Sequence, residues 1–314
     1  MVSRNAVNLK KIEAFFKLIR PAEWTKSFGN MAFASLTAGL IYSIPVFSTE
    51  NILFFFYGFI AVGPLLWGGL YALNDWTDIE KDKIHPVKKN RPLPSRIISA
   101  NTGLAIALLF IFFSLIISYS INFLFFSAVL AMLVNQLLYT LPPIKLKEKP
   151  VLDLISGSLI NPIFRFYCGW LLFVQSFNAP ILFLIFILGL QFGGYTLYRL
   201  HSKKVEKKLN YKSSVTVFGK KSIRIISYIS IAVGLLSYLF ITLNSAFFPS
   251  LVYLGSLPIE FFYWGAINVL PLPLYWNMLK DPEKADLKKM YNYLYSHYAV
   301  FLFGILWLFF NFIA

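Results

Sequence analysis

Asn74-Asp75-Trp76-Thr77-Asp78-Ile79-Glu80-Lys81-Asp82 closes an apolar run over residues 51–74, a run long enough to cross a bilayer as one helix. The boundary between that run and the acids marks where a membrane helix ends and a charged surface begins. The 314-residue chain holds only 14 Asp and Glu, yet four of them stand in these nine positions. Asp75, Asp78 and Asp82 are spaced i, i+3, i+7, which stacks three carboxylates on one helical face. Like charges stacked in this way repel, so the pattern calls for a cation. Oxygen ligands that leave room for water and phosphate suit Mg²⁺, and Asn74 adds a neutral oxygen. Lys83, His85, Lys88, Lys89 and Arg91 follow at once, a set able to hold phosphate oxygens. Carboxylates for a metal beside cations for phosphate imply a phosphorylated substrate.

The apolar run has companions. Hydrophobic residues make up 58% of the chain against 14% charged, and the mean hydropathy is +0.65, the composition of an integral membrane protein. Nine runs read as spans, at roughly 27–46, 51–74, 101–119, 121–141, 151–174, 179–200, 222–243, 258–278 and 293–313. The eighth is interrupted by Pro258, Pro271 and Pro273. The expected fold is therefore all-α, a polytopic bundle of nine transmembrane helices forming one domain over 1–314. Residues 1–26 precede the spans as an amphipathic interfacial segment, with Phe15, Phe16, Leu18 and Ile19 among Lys10, Lys11, Lys17 and Arg20.

The net charge of +15 raises nucleic acid as a partner until the charges are located. Of the 29 Lys and Arg, all but Arg165 fall before span 1 or in the loops after spans 2, 4, 6 and 8, counting Arg199 and Arg224 at the ends of the third of these loops, and these segments share one side of a nine-span chain. The positive-inside rule then places the N-terminus and the charged loops in the cytoplasm and the C-terminus outside. A prokaryotic plasma membrane is the expected location, and membrane lipids rather than nucleic acid are the expected surroundings. One cysteine, Cys168, excludes an intrachain disulfide. The loops after spans 2 and 6 echo each other in length and position, the first acidic and the second basic, as though spans 2–4 and 6–8 were related units. Side by side, with both loops on one face, such units cap a central cavity.

Arg165 lies deep in span 5, where a charge needs a partner or a wet cavity; binding a lipid phosphate and a structural ion pair both meet that need. Arg91, fixed beside Pro92, is suited to bidentate phosphate binding. Lys26 at the mouth of span 1, Lys88, Lys145 and the phenol of Tyr139 are further candidate phosphate ligands, the alternatives being ordinary positive-inside residues for the lysines and an interfacial anchor for the tyrosine. Asp153, near the start of span 5, reads as a helix cap. The 33 Phe read first as lipid-facing bulk, while Tyr71, Tyr195 and Tyr198 offer aromatic faces able to stabilise a cation.

These motifs together resemble the UbiA superfamily of intramembrane prenyltransferases over nearly the whole chain. The resemblance is carried by Arg20-Pro21-Ala22-Glu23-Trp24-Thr25-Lys26, by the NDxxDxxxD signature at Asn74, Asp75, Asp78 and Asp82, and by Lys88-Lys89-Asn90-Arg91-Pro92-Leu93-Pro94-Ser95. Tyr139-Thr140-Leu141-Pro142-Pro143-Ile144-Lys145-Leu146-Lys147 extends it. It implies nine helices around a lipid-lined chamber. It also implies Mg²⁺ on Asp75, Asp78 and Asp82, and transfer of a prenyl group from a polyprenyl diphosphate to a lipophilic or aromatic acceptor. The chain departs from the family where a second Asp-rich motif follows span 6 in many members: Arg199, Ser202 and Glu206 stand there. It departs again where Ser95-Arg96 replaces the usual Ser-Gly, and where Lys145 falls six residues after Tyr139. Asp82-Lys83-Ile84-His85-Pro86-Val87-Lys88-Lys89-Asn90-Arg91-Pro92 is similar to the polyprenyl-phosphate phosphoribosyltransferases, which lack the second motif and carry an Arg in span 5. Phosphoribosyl transfer to a polyprenyl phosphate is therefore the alternative reaction. A non-enzymatic transporter is a further alternative, set against the position of the acids at a span end rather than at the midplane. In the second loop Arg199 is expected to hold donor phosphate, with Glu206 paired to a neighbouring cation.

Overall fold

The computed structural model describes residues 4–84, 88–208, 212–271, 273, 276, 280–281, 284 and 286–313, so His85 and part of the eighth apolar run lie outside the described residues. All regular structure among the described residues is helical.

Helix α1 (Arg4–Ile19) meets α2 (Pro21–Tyr42) at Arg20, whose φ of 53° turns the chain. Pro21 opens α2, where its missing N–H leaves no bond unmade. Helix α3 (Thr49–Thr77) carries Pro64 within a π-helical stretch, Ala61–Trp67, and the N–H of Gly68 reaches back five residues to the carbonyl of Gly63. Short α4 (Ile79–Lys83) continues from it. Helix α5 (Ala100–Ile121) begins at Ser99, whose hydroxyl accepts the Thr102 N–H at 3.1 Å. Helix α6 (Phe123–Thr140) follows after one extended residue, Asn122, whose side chain accepts from the Phe125 N–H at 2.7 Å. Helix α7 covers 152–171 with a second π-helical stretch, Ser156–Ile160. Then come α8 (Ile181–Tyr198), a tight turn at Arg199–Ser202, and α9 (Lys203–Lys208). Helix α10 (Ser214–Phe247) is broken at Gly219, whose φ of 77° suits a residue without a Cβ. Helices α11 (Glu260–Val269) and α12 (Leu287–Ile313) complete the chain.

Five of these segments are long and apolar enough to cross a membrane: Thr49–Thr77, Ala100–Ile121, Phe123–Thr140, Ile181–Ser202 and Ser214–Phe247. The other four expected spans form helices that fall short of that measure among the described residues. Helix α2 carries Lys26, Ser27 and Asn30, and α7 is interrupted by Asp153, Asn161 and Arg165. Helix α11 is ten residues long, and the apolar part of α12 is confined to Ala299–Ile313.

The chain divides into two compact units. Unit 1 holds the described residues of Met1–Ser35, Thr49–Leu146 and Phe164–Ser176; unit 2 holds those of Leu36–Ser48, Lys147–Ile163 and Phe177–Ala314. Within unit 1, Leu18, Met31, Leu66, Leu70, Phe125, Met132, Phe166 and Trp170 are fully buried. Gly169 lies directly on the Met31 backbone, an approach that any Cβ would block. The Ser114 hydroxyl donates to the Ala61 carbonyl at 2.7 Å, pinning α5 to the start of the π-helical stretch. Helix α1 buries Ala14, Leu18 and Ile19 and leaves Leu9, Ile12 and Phe16 exposed. Within unit 2, α8 and α10 pack through small residues: a Cβ at Gly189 would sit 2.6 Å from the Gly234 Cα. The hydroxyls of Ser227 and Ser237 donate to the carbonyls of Gly193 and Leu182 at 2.6 and 2.8 Å.

Candidate functional site

The acidic motif sits in unit 1 where α3 passes into α4. Asn74 and Asp75 occupy the last turn of α3, Asp78 the junction, and Asp82 lies in α4. Helical bonding runs through the junction, with the Asp78 N–H on the Asn74 carbonyl at 3.2 Å and the Asp82 N–H on the Asp78 carbonyl at 2.8 Å. The three carboxylates thus keep roughly the helical register their spacing implies, and all three are buried.

What joins them is arginine. Arg91 Nη1 donates to Asp75 Oδ1 and to Asp82 Oδ2, both at 2.9 Å, and so bridges the first and last acids of the motif. Lys88 Nζ lies 3.7 Å from Asp82 Oδ1. The segment carrying Arg91 is held by its own hydrogen bonds, since the Arg91 carbonyl accepts from the Ser95 N–H at 3.0 Å and the Ser95 hydroxyl at 2.7 Å. Arg96, in place of the family's glycine, stands at a φ of 61°. Arg20, from the junction of α1 and α2, donates a second guanidinium to Asp75 Oδ1. Asp75 Oδ2 is buried with no hydrogen-bond partner. Burial raises the Asp82 carboxyl above its ordinary value against the opposing pull of Lys88 and Arg91. Burial opposes the charge on Arg20, yet the Asp75 carboxylate overcomes it and leaves the guanidinium more basic than usual.

The remaining expected ligands in unit 1 fall around this core. The Asn74 side-chain oxygen accepts from the Thr140 hydroxyl at 3.3 Å, which ties the motif to the end of α6 one residue past Tyr139, itself half-buried. Lys145 follows at a φ of 41°, its N–H on the Leu141 carbonyl at 3.0 Å. Lys26 Nζ pairs with Glu23 at 2.5 Å. The Tyr71 hydroxyl reaches the same Glu23 carboxylate at 3.5 Å, and the Tyr71 ring lies 4.9 Å below the Arg20 guanidinium. Tyr71 therefore presents its face to a protein cation. Arg165 is 5% exposed, with its guanidinium 3.8 Å over the Trp67 ring and Nε without a partner. An aromatic face meets the need for a partner there. Among the described residues no three His, Cys, Asp or Glu side chains gather as metal ligands, because the acids are turned to guanidiniums. The donor chemistry still fits a hard cation: the set is all oxygen, and a buried carboxylate oxygen of Asp75 is unused.

Arg199 lies in unit 2 and has a closed environment. Its guanidinium donates to Asp153 Oδ2 at 3.1 Å and lies 3.0 Å from Glu206 Oε1. Ser202 donates to Glu206 at 2.6 Å, and Ser213 donates to the same carboxylate. Asp153 accepts from the Ser214 hydroxyl and, at 3.1 Å, from the Ser214 N–H. Asp153 thus does cap a helix, but the helix is α10 rather than its own; it lies within its own helix, past the capping position, while the free N–H groups at the start of α10 face it. The expected pairing of Glu206 with a cation is present, and Glu206 is buried in it.

Sequence reading passed over Arg20, Glu23 and Thr140 as site residues. Each stands inside a motif quoted for the family resemblance, but nothing in a run of juxtamembrane charges singles out the one that reaches an acid 55 residues away.

Comparison with known proteins bears on this arrangement. The model of the UbiA prenyltransferase family matches residues 31–311. The chain is 26% identical over 219 residues to the decaprenyl-phosphate phosphoribosyltransferase of Mycolicibacterium smegmatis, covering 66% of this chain and 65% of that relative's length. It is 26% identical over 279 residues to the bacteriochlorophyll synthase 33 kDa chain of Rhodobacter capsulatus, covering 86% of this chain and 84% of the relative. A solved UbiA homologue from Archaeoglobus fulgidus bound to DMAPP and Mg²⁺ superposes with a TM-score of 0.69 at 18% identity, over 95% of this chain and 98% of that one. The same homologue bound to GPP and Mg²⁺ gives 0.67 at 19% identity, over 96% and 99%. At these identities the solved structures establish the fold.

Proposed function

The chain belongs to the UbiA prenyltransferase family of integral membrane transferases, and from that premise we propose that it moves a prenyl group from a polyprenyl diphosphate to a lipophilic or aromatic acceptor. Membership among transferases also retires the transporter alternative. The observation that carries the proposal is the Asp75–Arg91–Asp82 cluster: buried carboxylates held by cations at the end of an apolar helix.

In this reading Asp75, Asp78 and Asp82 hold Mg²⁺, with Asn74 beside them. The ion, when bound, stabilises the negative charge that builds on the departing diphosphate. Arg91 and Lys88 already lie at the carboxylates and take the donor's phosphate oxygens, with Lys26, Lys145 and Tyr139 as further phosphate ligands. Because these charges are in place before the reaction, the carbon–oxygen bond ionises without a strong nucleophile. In this reading the lipid chain lies against apolar helices, where low dielectric strengthens each of these contacts. The charged loops and N-terminus face the cytoplasm of a prokaryotic cell and the C-terminus lies outside, as the distribution of Lys and Arg supports.

A second reading is phosphoribosyl transfer to a polyprenyl phosphate. Arg165 favours it, as a buried cation with an unused N–H in the membrane part of unit 1, suited to the phosphate of a lipid acceptor. The mycobacterial relative points the same way. Purified protein incubated with labelled prenyl diphosphates or labelled phosphoribosyl diphosphate, followed by thin-layer separation of lipid products, tests both. Label in a prenylated acceptor supports the first reading and label in a polyprenyl-phosphate ribose product the second. Product from neither donor refutes both.

A further inference from the structure

Asp75 is the focus of unit 1's polar interior, and its two oxygens are treated differently. Oδ1 takes hydrogen bonds from both Arg20 and Arg91, while Oδ2 is buried with none. A carboxylate with a side chain 1% exposed cannot remain an uncompensated anion, because the water it has lost is not otherwise replaced. The arginines compensate it. A divalent cation on the same carboxylate makes two guanidiniums too many, and one has to leave.

The surroundings decide which. Arg91 is anchored a second time on Asp82. Arg20 has the Tyr71 ring at 4.9 Å and the charge of Glu23 as its other neighbours, and its side chain is 25% exposed, open to an incoming anion. Its backbone sits at a φ of 53°, a conformation that disfavours residues with a Cβ and that persists where the surroundings enforce it. That strained turn between α1 and α2 aims the guanidinium at Asp75.

We propose that Arg20 is the resident counter-ion of Asp75, yielding that carboxylate to a divalent cation when a diphosphate takes over its guanidinium, so that metal and donor enter the site together. The inference rests on the metal–diphosphate reading of the cluster and adds a residue and an order of binding to it. Metal alone must evict Arg20 into a place with no equal partner, whereas metal with diphosphate exchanges one anion for another. By linkage each ligand then strengthens the other by the same factor.

The test uses purified full-length protein, Mn²⁺ as the metal probe and inorganic pyrophosphate as the donor probe, with protein-bound manganese counted after equilibrium dialysis. Wild type is expected to bind Mn²⁺ weakly alone and at least about tenfold more tightly with pyrophosphate, the scale of one close charge pair. In Arg20→Gln, Mn²⁺ alone is expected to bind about tenfold more tightly than in wild type, with the strengthening by pyrophosphate largely lost. Arg20→Lys keeps the charge but loses the planar fork, and is expected to shift Mn²⁺ binding about threefold in the same direction. Unchanged or weaker Mn²⁺ binding in these variants, with the pyrophosphate effect intact, overturns the role of Arg20 and leaves the metal reading standing. The lysine variant alone decides the point where the glutamine variant does not fold. Wild type that binds no Mn²⁺ with or without pyrophosphate overturns the metal reading and this inference with it.

Discussion

Two clusters in this protein solve one electrostatic problem in opposite ways. In unit 1, Asp75 and Asp82 are held by Arg20, Arg91 and Lys88, and the two arginine side chains are about a quarter exposed. In unit 2, Asp153 and Glu206 share Arg199, 11% exposed, and three serine hydroxyls fill much of their remaining hydrogen-bonding capacity. The first cluster has long, partly solvated cations and one unused carboxylate oxygen. The second has a sequestered cation and small, short-range donors. Long side chains reaching in from solvent can reach out again when an anion arrives, but serine hydroxyls on a helix N-terminus have nowhere else to go. Exposure of the cation, rather than the number of acids, separates the cluster proposed to turn over from the one expected to act as a joint.

The sharpest way to break this contrast is to neutralise one acid in each cluster. Asp75→Asn is expected to lower turnover at least about a thousandfold while the purified protein keeps its melting temperature to within a few degrees. Asp153→Asn is expected to do the reverse, with stability falling by about 3 kcal/mol as Arg199 and the start of α10 lose their partner and Mn²⁺ affinity unchanged. Side-by-side melting curves and single-turnover assays check both. A stable, inactive Asp153→Asn enzyme would show that the second cluster also meets the donor, as the expectation of Arg199 as a phosphate ligand requires.

A smaller effect sharpens the first cluster from within. Arg91→Lys retains a charge but not two hydrogen bonds in a fixed plane, so the apparent donor KM is expected to rise about tenfold with kcat less affected. Initial-rate kinetics over a range of donor concentrations measure the split.

Much of the first cluster could be read before any coordinates. Three Asp at helical spacing beside an apolar run mark one site at the end of a span, but the spacing does not show that the carboxylates are buried, and Arg91 beside Pro92 reads as a phosphate ligand rather than as the bridge between Asp75 and Asp82. The second cluster was only half legible. Glu206 among five basic residues foretold an ion pair, but the pairing of Arg199 with Asp153 crosses 46 residues and that of Ser214 with Asp153 crosses 61. Hydropathy carries no record of such long-range closure. Arg20 was hidden for the same reason: one positive residue before a span resembles any other until the α1–α2 turn aims it.

Two last tests concern the margins of the clusters. Arg96→Gly removes a side chain from a φ of 61° beside the Arg91 segment, and is expected to stabilise the protein by up to about 1 kcal/mol without loss of activity. Thermal melting measures it. Smallest of all is Asp281 in unit 2, a half-buried carboxylate lowered by its hydrogen bond to Arg224 and by Lys220 and Lys284. A depressed carboxylate contributes stability above its ordinary value of 3.8 and loses it as pH falls through the lower folded value. Asp281→Asn is therefore expected to melt slightly below wild type at neutral pH, the gap closing as acid protonates the wild-type carboxyl. Melting temperatures compared along an acid titration check it.

The π-helical stretch over Ala61–Trp67 bears on how this protein tolerates changes in length. A π turn absorbs a surplus residue in a helix whose flanks stay in phase. Removing one residue from 62–66 is expected to let the backbone relax to ordinary α geometry with the acids still facing Arg91. Removing one from 68–73 has no such slack to draw on and swings Asp75 about 100° around the helix axis. Within a single membrane helix, then, a deletion is expected to disturb the aim of the carboxylates far less in one turn than in the next, and what fixes that aim is a count of residues as much as their identity.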